Sequence, residues 1–510
     1  MFGKSKFLDM ALAFNVGVAY IKCMPAPNLS AADRDFFKTL AEVVFGNPFS
    51  PIRDQLIVRL APGATPGDLT SDPEALARVV RPQLEPWMRD GGAALRRLGA
   101  EDRAMFEPAL LYVGYHRCLK QLDALIESQV AEGAKPQRVD FADPIIEELV
   151  AGGFSEARAV RFFAFYFQLR RAFYFINRDL AGECESMQRL RESLWNNIFS
   201  HDMRGYEAAL WNRMEHFSTL LLGDTGTGKG SAAAAIGRSE FIPYLPAERR
   251  FAANFTETFI AINLSQFPET LIESELFGHR KGAFTGAVEG HEGVFARCSS
   301  HGALFLDEIG EVSIPVQIKL LQVLQERVFT ALGSHEKKRF AGRVIAATNQ
   351  DLGQKRRDGN FRDDFYYRLC SDVIRMPTLQ QRIAESQAEL YHLVKLLVAR
   401  ITGVEGSELV MLVMQAFEKE LPHGYTWPGN VRELEQAVRR VLLTGRYVAE
   451  ATPAGSEEET LLARMRSDSL SADELLGRYS KMLYKRSGKY TEVATHMGLD
   501  VRTVKKYVES

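Results

Sequence analysis

The sequence predicts an α/β domain built on a parallel sheet, with a mostly helical region before it and helical segments after it. Four short apolar runs alternate with helical segments and predict the strands: Ser218–Leu222, Phe259–Ile262, Ala303–Leu306 and Val344–Ala347. Buried parallel strands have this nearly continuous apolar character because helices cover both faces of their sheet. In the flanking regions the apolar residues recur at helical spacing instead.

Length and composition indicate a multidomain globular protein. The 510 residues suggest about three domains, and the 46% hydrophobic and 25% charged composition argues against wholesale disorder. The five cysteines are dispersed without a CxxC pair, which fits a reducing cytoplasm and gives no zinc motif. Met1–Met24 lacks the pattern of a signal peptide. Arginines interrupt the most apolar stretch, Val160–Ile176, so no membrane span is expected.

Changes in pattern along the chain predict five segments. They are a mostly helical region at 1–190, the α/β core at 191–376, a helical region at 377–446, a polar linker at 447–474 and a small helical module at 475–510. From Leu475 onwards eight Lys and Arg face three Asp and Glu, a net charge of +5, which leaves −7 for the remainder. A basic end on an acidic body predicts contact with a polyanion.

Helix signals and one aromatic stretch stand out in the first segment. Ser30 is expected to cap a helix at Ala31–Phe45, and Ser71–Glu74 marks a second helix start. Ala109–Gln129 has helical apolar spacing. A dense aromatic group comprises Phe162, Phe163, Phe165, Tyr166, Phe167, Phe173, Tyr174 and Phe175. It fits a buried core helix, and the alternatives are a ligand pocket or a surface that contacts another subunit.

A glycine-rich loop follows the first predicted strand. Its residues are Gly223, Asp224, Thr225, Gly226, Thr227, Gly228 and Lys229. The order strand, GxxxxGK, helix is what a phosphate-binding loop requires, because glycines let backbone N–H groups surround a phosphate. Lys229 is expected to reach the β- and γ-phosphates of a nucleotide. Gly230 stands where such loops usually carry the Ser or Thr that binds Mg²⁺.

Acidic and amide side chains follow two of the other predicted strands. Ala303–Leu306 runs into Asp307 and Glu308, and Val344–Ala347 is followed by Thr348 and Asn349. Side chains at the carboxyl ends of parallel strands project into the ligand crevice. We expect Asp307 to hold Mg²⁺ through water and Glu308 to polarise the attacking water. Asn349 would sense the γ-phosphate or orient that water. The paired carboxylates imply Mg²⁺, because otherwise they would repel polyphosphate.

The basic end predicts a helix-turn-helix. Tyr490–Met497 and Val501–Val508 are helical in pattern, separated by a turn in which Asp500 caps the second helix. Its predicted small core comprises Val493, Ala494, Met497, Leu499, Val501 and Val504. Side chains expected to face double-stranded DNA are Arg502, Thr503, Lys505 and Lys506. The alternative is a solvated basic helix.

Together these motifs resemble the sigma-54-dependent activators, bacterial enhancer-binding proteins of the AAA+ ATPase class. The resemblance rests on Glu273–Ala287 with an intact GAFTGA, on the LFLDEIG run Leu304–Gly310, on Ala347–Asn349, on Phe361–Leu369 and on Trp427–Leu434. It covers about residues 200–446, and the C-terminal module resembles the Fis-type end of that family. The implied fold is an AAA+ P-loop core with a parallel sheet and a helical lid.

The resemblance implies further roles. Arg362 and Arg368 match the arginine pair that reaches the nucleotide of a neighbouring subunit, which implies a homo-oligomer, from a dimer to a hexameric ring. Arg432 matches the lid arginine that senses nucleotide. Asn263 matches the asparagine that restrains the catalytic glutamate, here Glu308, until the target is engaged.

The GAFTGA loop predicts a contact surface. It comprises Gly282, Ala283, Phe284, Thr285, Gly286 and Ala287. An aromatic side chain at a loop tip is costly to expose, and burying it in a partner returns roughly 1.5–3 kcal/mol. The resemblance implies that this partner is sigma-54 in the RNA polymerase holoenzyme, whereas the alternative is a tight turn with Phe284 packed internally. A second contact loop is expected near Leu332–Lys338.

The resulting hypothesis is an ATP-driven transcription activator, with residues 1–190 controlling assembly in response to an unknown ligand or protein. The sequence departs from the family at Gly230, at Asp224-Thr225 in place of Glu-Ser, and in a long segment at Glu240–Thr258. Two alternatives stay open: a DNA-binding regulator with an impaired ATPase, motivated by Gly230, and an AAA+ remodeller of another target.

Overall fold

The structure is a computed structural model that describes residues 28–61, 74–88, 94–133, 135, 137–404, 406–422, 424–447, 461 and 471–509. Contacts divide the chain into two compact units. The first contains the chain up to Leu393 together with Gly429–Arg432, and the second contains Val394–Pro428 and the chain from Glu433 onwards. The five predicted segment boundaries stay predictions.

The described part of the N-terminal region is helical, as predicted. Its helices are α1 (Ala31–Phe45), α2 (Pro51–Leu60), α3 (Ala75–Met88), α4 (Ala94–Arg97), α5 (Ala100–Arg117), α6 (Leu119–Glu132), α7 (Ala142–Gly152), α8 (Glu156–Asp179) and α9 (Glu185–Phe199). Short helical turns follow at Met203–Gly205, Tyr206–Leu210 and Met214–His216.

The local signals account for several of these helix ends. Ser30 caps α1 as predicted: its hydroxyl accepts a hydrogen bond from the Asp33 amide at 3.1 Å, and the Asp33 carboxylate accepts one from the Ser30 amide. The single helix expected at Ala109–Gln129 is divided between α5 and α6 at Cys118, whose φ and ψ are −104° and 8°. Of the helix start predicted at Ser71–Glu74, residues 71–73 lie outside the described residues.

The predicted parallel sheet is present. The strands are β1 (Thr219–Leu222), β2 (Tyr244–Leu245), β3 (Arg250–Phe251), β4 (Phe259–Asn263), β5 (Ala303–Asp307), β6 (Val328–Thr330), β7 (Lys337–Arg339), β8 (Arg343–Thr348) and β9 (Asp372–Arg375). Five form a parallel sheet in the order β4-β5-β8-β1-β9. All four predicted strands are confirmed, and β9 was not predicted. The other strands form two antiparallel pairs, β2-β3 and β6-β7.

Each face of the sheet packs into its own hydrophobic core. Leu221, Ile345 and Ile374 contribute to a core that also contains the buried residues of the N-terminal helices. Leu220, Leu304 and Val344 point to the opposite face and contribute to a second core. The N-terminal helices therefore share one continuous core with the α/β region.

The aromatic stretch of α8 is mostly core, in agreement with the first interpretation of it. Phe163 and Phe167 are fully buried. Phe251 of β3 stacks on both rings, with ring centroids 5.9 Å and 4.2 Å away. The long segment Glu240–Thr258 thus folds into the β2-β3 hairpin, which covers one side of α8.

The remaining helices complete the α/β region and extend into the second unit. They are α10 (Lys229–Gly237), α11 (Glu269–Phe277), α12 (Val294–Arg297), α13 (Ile314–Glu326), α14 (Leu352–Arg357), α15 (Asp363–Leu369), α16 (Leu379–Glu385), α17 (Ala388–Thr402), α18 (Ser407–Glu420) and α19 (Asn430–Thr444). Within the residues that the structure describes, no helix is both long and apolar enough to cross a membrane.

The C-terminal module is a three-helix cluster of α20 (Ala472–Ser487), α21 (Tyr490–Met497) and α22 (Val501–Glu509). Helix α20 begins inside the predicted linker, because Ser471 and Glu474 form a capping box. Val493, Ala494 and Val504 are buried at the centre. The prediction that Val501 belongs to this core is wrong, since its side chain is 40% exposed.

Candidate functional site

The glycine-rich loop connects β1 to α10, in the arrangement that the sequence predicts. Lys229 is the first residue of α10, and Gly228 before it has a φ of +95°. A side chain at Gly226 would lie 2.2 Å from the carbonyl oxygen of Gly429, so only glycine fits where the loop meets that segment. Asp224, Thr225 and Gly230 are exposed. The loop is therefore a backbone-lined turn at the N-terminus of a helix, which is the geometry of an anion site.

Lys229 lies against the loop with its ammonium group held by backbone oxygens. Nζ donates hydrogen bonds to the carbonyl oxygens of Gly223 at 2.7 Å and Asp224 at 3.1 Å. Burial lowers the pKa of Lys229, although the carboxylates of Glu308 and Asp307 act in the opposite direction. The lysine is thus a largely buried cation within electrostatic reach of both predicted acids.

The two acids lie at the carboxyl end of β5, next to the loop. Glu308 has a φ of +56°, a left-handed conformation that is uncommon for a residue with a side chain. Its Oε2 atom is buried and has no hydrogen-bond partner. Unpaired buried carboxylate oxygens are rare, and strained backbone clusters at functional sites. Both observations make Glu308 the candidate reactive group of this site.

The two predicted asparagines make different contacts, and the contact of Asn263 differs from the sequence expectation. The side-chain amide of Asn263 donates to Oδ2 of Asp307 at 3.5 Å, whereas the resemblance pairs Asn263 with Glu308. Its Oδ1 accepts from the backbone and hydroxyl of Ser265. Asn349 donates to the hydroxyl of Thr225 in the phosphate loop at 3.0 Å. Asn349 therefore lies beside the loop, and Asn263 lies on the acid predicted to hold the metal.

Of the three predicted arginines, Arg432 lies beside the phosphate loop, whereas Arg362 and Arg368 are bonded to residues elsewhere. The guanidinium of Arg362 pairs with Asp364 at 2.7 Å on the surface. Arg368 donates to the carbonyl oxygen of Leu324 at 3.0 and 2.8 Å. A side chain at Gly226 would meet Cβ of Arg432 at 3.0 Å, so Arg432 begins at the loop.

Asn430 is a loop contact that the sequence analysis did not assign. Its side-chain amide donates to the carbonyl oxygen of Thr225 at 3.1 Å, and its Oδ1 accepts from the amide of Leu379 at 2.8 Å. It is buried and has a φ of +53°. The WPGN run that contains it was recognised as a motif, and asparagine is one of the few residues that tolerate this conformation.

The GAFTGA loop is a tight turn with an exposed tip. The amide of Gly282 donates to the carbonyl oxygen of Ala287 at 2.8 Å, which closes the loop. Gly282 and Gly286 have φ values of +81° and +101°, which favour glycine. Phe284 is 40% exposed, and its ring lies 4.9 Å from that of His279 in an edge-on arrangement. The alternative in which Phe284 packs internally does not describe this structure.

A neighbouring hairpin supports the base of this loop. The turn between β6 and β7 contains Leu332, whose carbonyl oxygen accepts from the amide of Arg280 at 3.0 Å. Arg280 also pairs with Glu336 of the same turn at 3.1 Å. The predicted second contact region, Leu332–Lys338, therefore lies beside the GAFTGA loop on one surface.

The four predicted DNA-facing side chains lie on α22. Arg502, Lys505 and Lys506 are exposed, and Thr503 is half-buried. Oδ1 of Asp500 accepts from the amide of Arg502 at 2.8 Å, which confirms the expected cap. The Nζ atom of Lys505 lies 3.7 Å from a carboxylate oxygen of Glu509. The first turns of α22 thus present cations to solvent.

The sheet order and the loop after β1 define the class. A parallel sheet ordered β4-β5-β8-β1-β9, with a P-loop after β1 and an acid pair after β5, is the core of an AAA+ P-loop protein. Residues 203–375 match the family model described as the sigma-54 interaction domain. Over these residues the chain is similar to the sigma-54 interaction domain, and there the resemblance seen in the sequence is confirmed.

Curated relatives match slightly more than half of the chain. The Nif-specific regulatory protein of Azotobacter vinelandii is 39% identical over 274 residues, which cover 52% of this chain and 48% of that protein. The transcriptional regulatory protein ZraR of Salmonella typhimurium is 34% identical over 304 residues, or 56% of this chain and 62% of ZraR. The nitrogen fixation protein VnfA of Azotobacter vinelandii is 35% identical over 297 residues, or 56% and 53%. The chain thus spans about half to three-fifths of the length of these relatives.

Proposed function

We propose that this protein is an ATP-driven activator of sigma-54-dependent transcription. The observation that carries the proposal is the joint presence of a P-loop with a buried lysine, an acid pair beside it and a GAFTGA loop with an exposed phenylalanine. The first two features support nucleotide hydrolysis, and the third supports transfer of the resulting movement to a protein partner.

The residues around the P-loop fit a Mg²⁺–ATP complex. Among the described residues no group of three or more His, Cys, Asp or Glu side chains forms a metal site. This fits Mg²⁺, which in phosphate sites takes few protein carboxylates and relies on phosphate oxygens and waters. Asp307 would hold the ion, and the ion would neutralise charge on the phosphates. Glu308 has an unpaired carboxylate oxygen available to accept a proton from water.

Hydrolysis would occur at a boundary between subunits. The Arg362 guanidinium lies on the surface, and within the described residues its ion pair is with Asp364, two residues away in sequence. Turning it towards a neighbouring subunit would therefore break one exposed ion pair. Arg368 is tied to the carbonyl oxygen of Leu324 and would have to release that bond to reach a neighbour. A homo-oligomeric ring, with these arginines acting on the nucleotide of the next subunit, would make turnover depend on assembly. Arg432, which begins beside the loop, would report the bound nucleotide.

The GAFTGA loop and its neighbouring hairpin would contact sigma-54 in the RNA polymerase holoenzyme. Thr285 and Phe284 are exposed at the tip, and burial of Phe284 in a partner favours binding. The basic first turns of α22 would bind double-stranded DNA upstream of the promoter, with Arg502 and Thr503 suited to bases and Lys505 and Lys506 suited to phosphates. The helical N-terminal region would receive a signal from a ligand or protein.

Steady-state ATP hydrolysis by the purified full chain tests the catalytic part of this proposal. We expect turnover that requires Mg²⁺ and rises more steeply than linearly with protein concentration, as a shared site requires. Glu308→Gln should abolish turnover, whereas Glu326→Gln at the exposed end of α13 should not. If turnover of the parent does not exceed that of Glu308→Gln, the protein is a DNA-binding regulator with an impaired ATPase.

The target is tested by open-complex formation with sigma-54 RNA polymerase on supercoiled promoter DNA. We expect ATP-dependent opening with the parent, and loss of opening with Thr285→Ala. A protein that hydrolyses ATP but neither binds sigma-54 nor opens the promoter would be a remodeller of a different target.

A further inference from the structure

The helical N-terminal region contains a cavity of about 370 Å³, a size within the range of sites for small molecules. It lies between α1, α2 and α5 on one side and α8 and α9 on the other. Most of its lining is apolar and aromatic, as shown by Tyr112, Phe165, Phe173, Trp195 and Phe199. The ring centroids of Trp195 and Phe199 are only 4.6 Å apart, so this wall is packed and preformed.

Two polar atoms in this apolar wall lack hydrogen-bond partners. They are Nδ1 of His116 and the indole nitrogen of Trp195, and both residues line the cavity. His116 is 8% exposed and Trp195 is 5% exposed. A buried polar atom without a partner destabilises the fold. Both atoms are covered by protein atoms, so they belong to the interior of the wall and do not face the space of the cavity.

Two of the four Arg, Asp and Glu side chains of the lining form ion pairs. Arg170 is paired with Asp123 at 2.9 Å, and Glu207 is paired with Arg161 at 2.6 Å. Asp54 is exposed to water. Arg53 is half-buried, forms no ion pair within the described residues and donates only to the carbonyl oxygen of Val43 at 3.3 Å.

The positive charge of Arg53 acts on His116, which also lines the cavity. The positive charges of Arg53 and Arg170 act together with burial, the larger cause, to lower the pKa of His116 to about 3. His116 is therefore a neutral hydrogen-bonding group at physiological pH. The cavity thus has a mostly aromatic and apolar lining that includes the half-buried cation Arg53.

We infer that this cavity is a binding site for a small aromatic carboxylate. The ring system would pack edge-on and stacked against the aromatic wall. The carboxylate would pair with Arg53, a lining cation that forms no ion pair within the described residues. An uncharged aromatic molecule would fill the volume but leave Arg53 uncompensated.

The walls of the cavity also contact the nucleotide-binding half of the same unit. Gln168 of α8 donates to the carbonyl oxygen of Ser239, and the neighbouring Arg171 donates to those of Arg238 and Glu240, all just after the P-loop helix. Occupancy of the cavity would therefore bias the position of α10. This regulatory consequence rests on the proposed ATPase, whereas binding itself does not.

Calorimetric titration of the nucleotide-free full chain tests the site. The probes are benzoate, 2-naphthoate and indole-3-acetate, each paired with its uncharged amide. We expect saturable binding of at least one acid with one site per chain, at least tenfold tighter than its amide. Arg53→Gln should weaken binding of that acid at least tenfold and leave the amide unchanged. Arg59→Gln on the same helix, where Arg59 pairs with the exposed Asp35, should bind as the parent does.

A second variant separates loss of the site from loss of the fold. Leu169 lines the cavity and is half-buried, so Leu169→Trp should fill the space while keeping the circular dichroism and melting temperature of the parent. That variant should bind neither acid nor amide. The inference is overturned if none of the three acids binds the parent with a Kd below about 1 mM. Equal binding to Arg53→Gln or to folded Leu169→Trp overturns it too. None of these outcomes depends on ATP hydrolysis.

Discussion

The guanidinium of Arg343 lies 3.1 Å from the carboxylate of Glu240 in the interior of the first unit, with side chains only 2% and 10% exposed. Arg343 belongs to β8, and Glu240 follows the P-loop helix. The same guanidinium donates to the backbone and side chain of Asn197 in α9 and to the hydroxyl of Thr219 in β1. One arginine therefore joins the N-terminal helices to the sheet that carries the nucleotide site.

Removing this arginine should destabilise the whole first unit. Arg343→Met leaves Glu240 as a buried charge without its partner, which costs about 3–5 kcal/mol. We expect a markedly lower melting temperature of the first unfolding transition, measured by circular dichroism. The double variant Arg343→Met/Glu240→Met should recover much of the loss, because an apolar pair needs no compensation. A double variant no more stable than Arg343→Met would show that the other bonds of Arg343 matter more than the ion pair.

Because of His116, the stability of the protein should decrease as the pH is lowered below the ordinary pKa of histidine. Its pKa is about 3 in the folded protein, mainly through burial, against 6.5 for a free histidine. The stabilisation from neutral His116 is fully present above pH 6.5 and declines as the pH falls from 6.5 towards 3. Between pH 7 and 5.5 this loss is about 1 kcal/mol. Urea unfolding at both pH values should show it for the parent.

A substitution isolates the contribution of this histidine. His116→Phe should make the stability difference between pH 7 and 5.5 smaller by about 1 kcal/mol. His335→Gln, on an exposed turn, should keep the difference of the parent. An unchanged pH dependence in His116→Phe would mean that His116 takes up a proton in the folded protein.

The fold was predictable where the signal is local. Apolar runs gave β1, β4, β5 and β8, and Ser30 gave the start of α1. Strand β9 was missed because its apolar run is too short to recognise. Only Val373 and Ile374 stand between two charged residues of this strand, which lies at the edge of the sheet and has one neighbour. The start of α20 was missed because a capping box has the same polar composition as a linker.

The site was predictable as a set of residues but not as a set of contacts. The P-loop and the acid pair are contiguous motifs, so sequence identifies them. The contact of Asn263 with Asp307 instead of Glu308 follows from the parallel register of β4 and β5, which places Asn263 opposite Asp307 and which no local pattern indicates. The aromatic stretch in α8 belongs to the core and also forms a cavity wall through Phe165 and Phe173. Which rings face the cavity depends on helices distant in sequence.

Restoring a hydroxyl at Gly230 should improve use of Mg²⁺. A side chain there would meet nothing within 4 Å, so Gly230→Thr should fold normally. P-loops carry a Ser or Thr hydroxyl here as a Mg²⁺ ligand. We expect ATP turnover of the variant to reach half of its maximum at a lower Mg²⁺ concentration than that of the parent. Gly230→Ala is the matched control without the hydroxyl, and it should respond to Mg²⁺ as the parent does. Equal Mg²⁺ curves for all three proteins would mean that the ion takes no ligand from this position.

Truncating the loop tip should remove partner binding and spare the fold. Phe284→Ala loses a side chain that is 40% exposed, so its effect on melting temperature should be small. In a partner the same ring would contribute roughly 1.5–3 kcal/mol, so binding of sigma-54 should weaken by about 10- to 100-fold. Val288→Ala is the control, because Val288 is 73% exposed just outside the loop. Fluorescence anisotropy with labelled sigma-54 measures both. A larger loss with Val288→Ala than with Phe284→Ala would place the contact elsewhere.

Two cations of the C-terminal module should differ in what they contribute to DNA binding. Arg502 lies in the first turn of α22 and suits a base edge, so Arg502→Ala should cost about 1–3 kcal/mol and reduce discrimination between specific and random duplexes. Lys506 suits a phosphate, so Lys506→Ala should weaken both duplexes equally and lower the slope of log affinity against log salt by about one. Lys489, which pairs with Glu492 at 2.7 Å on α21, provides the control as Lys489→Ala. Electrophoretic mobility shifts at several salt concentrations distinguish these effects. Identical losses for Arg502→Ala and Lys489→Ala would indicate a diffuse basic surface in place of a recognition helix.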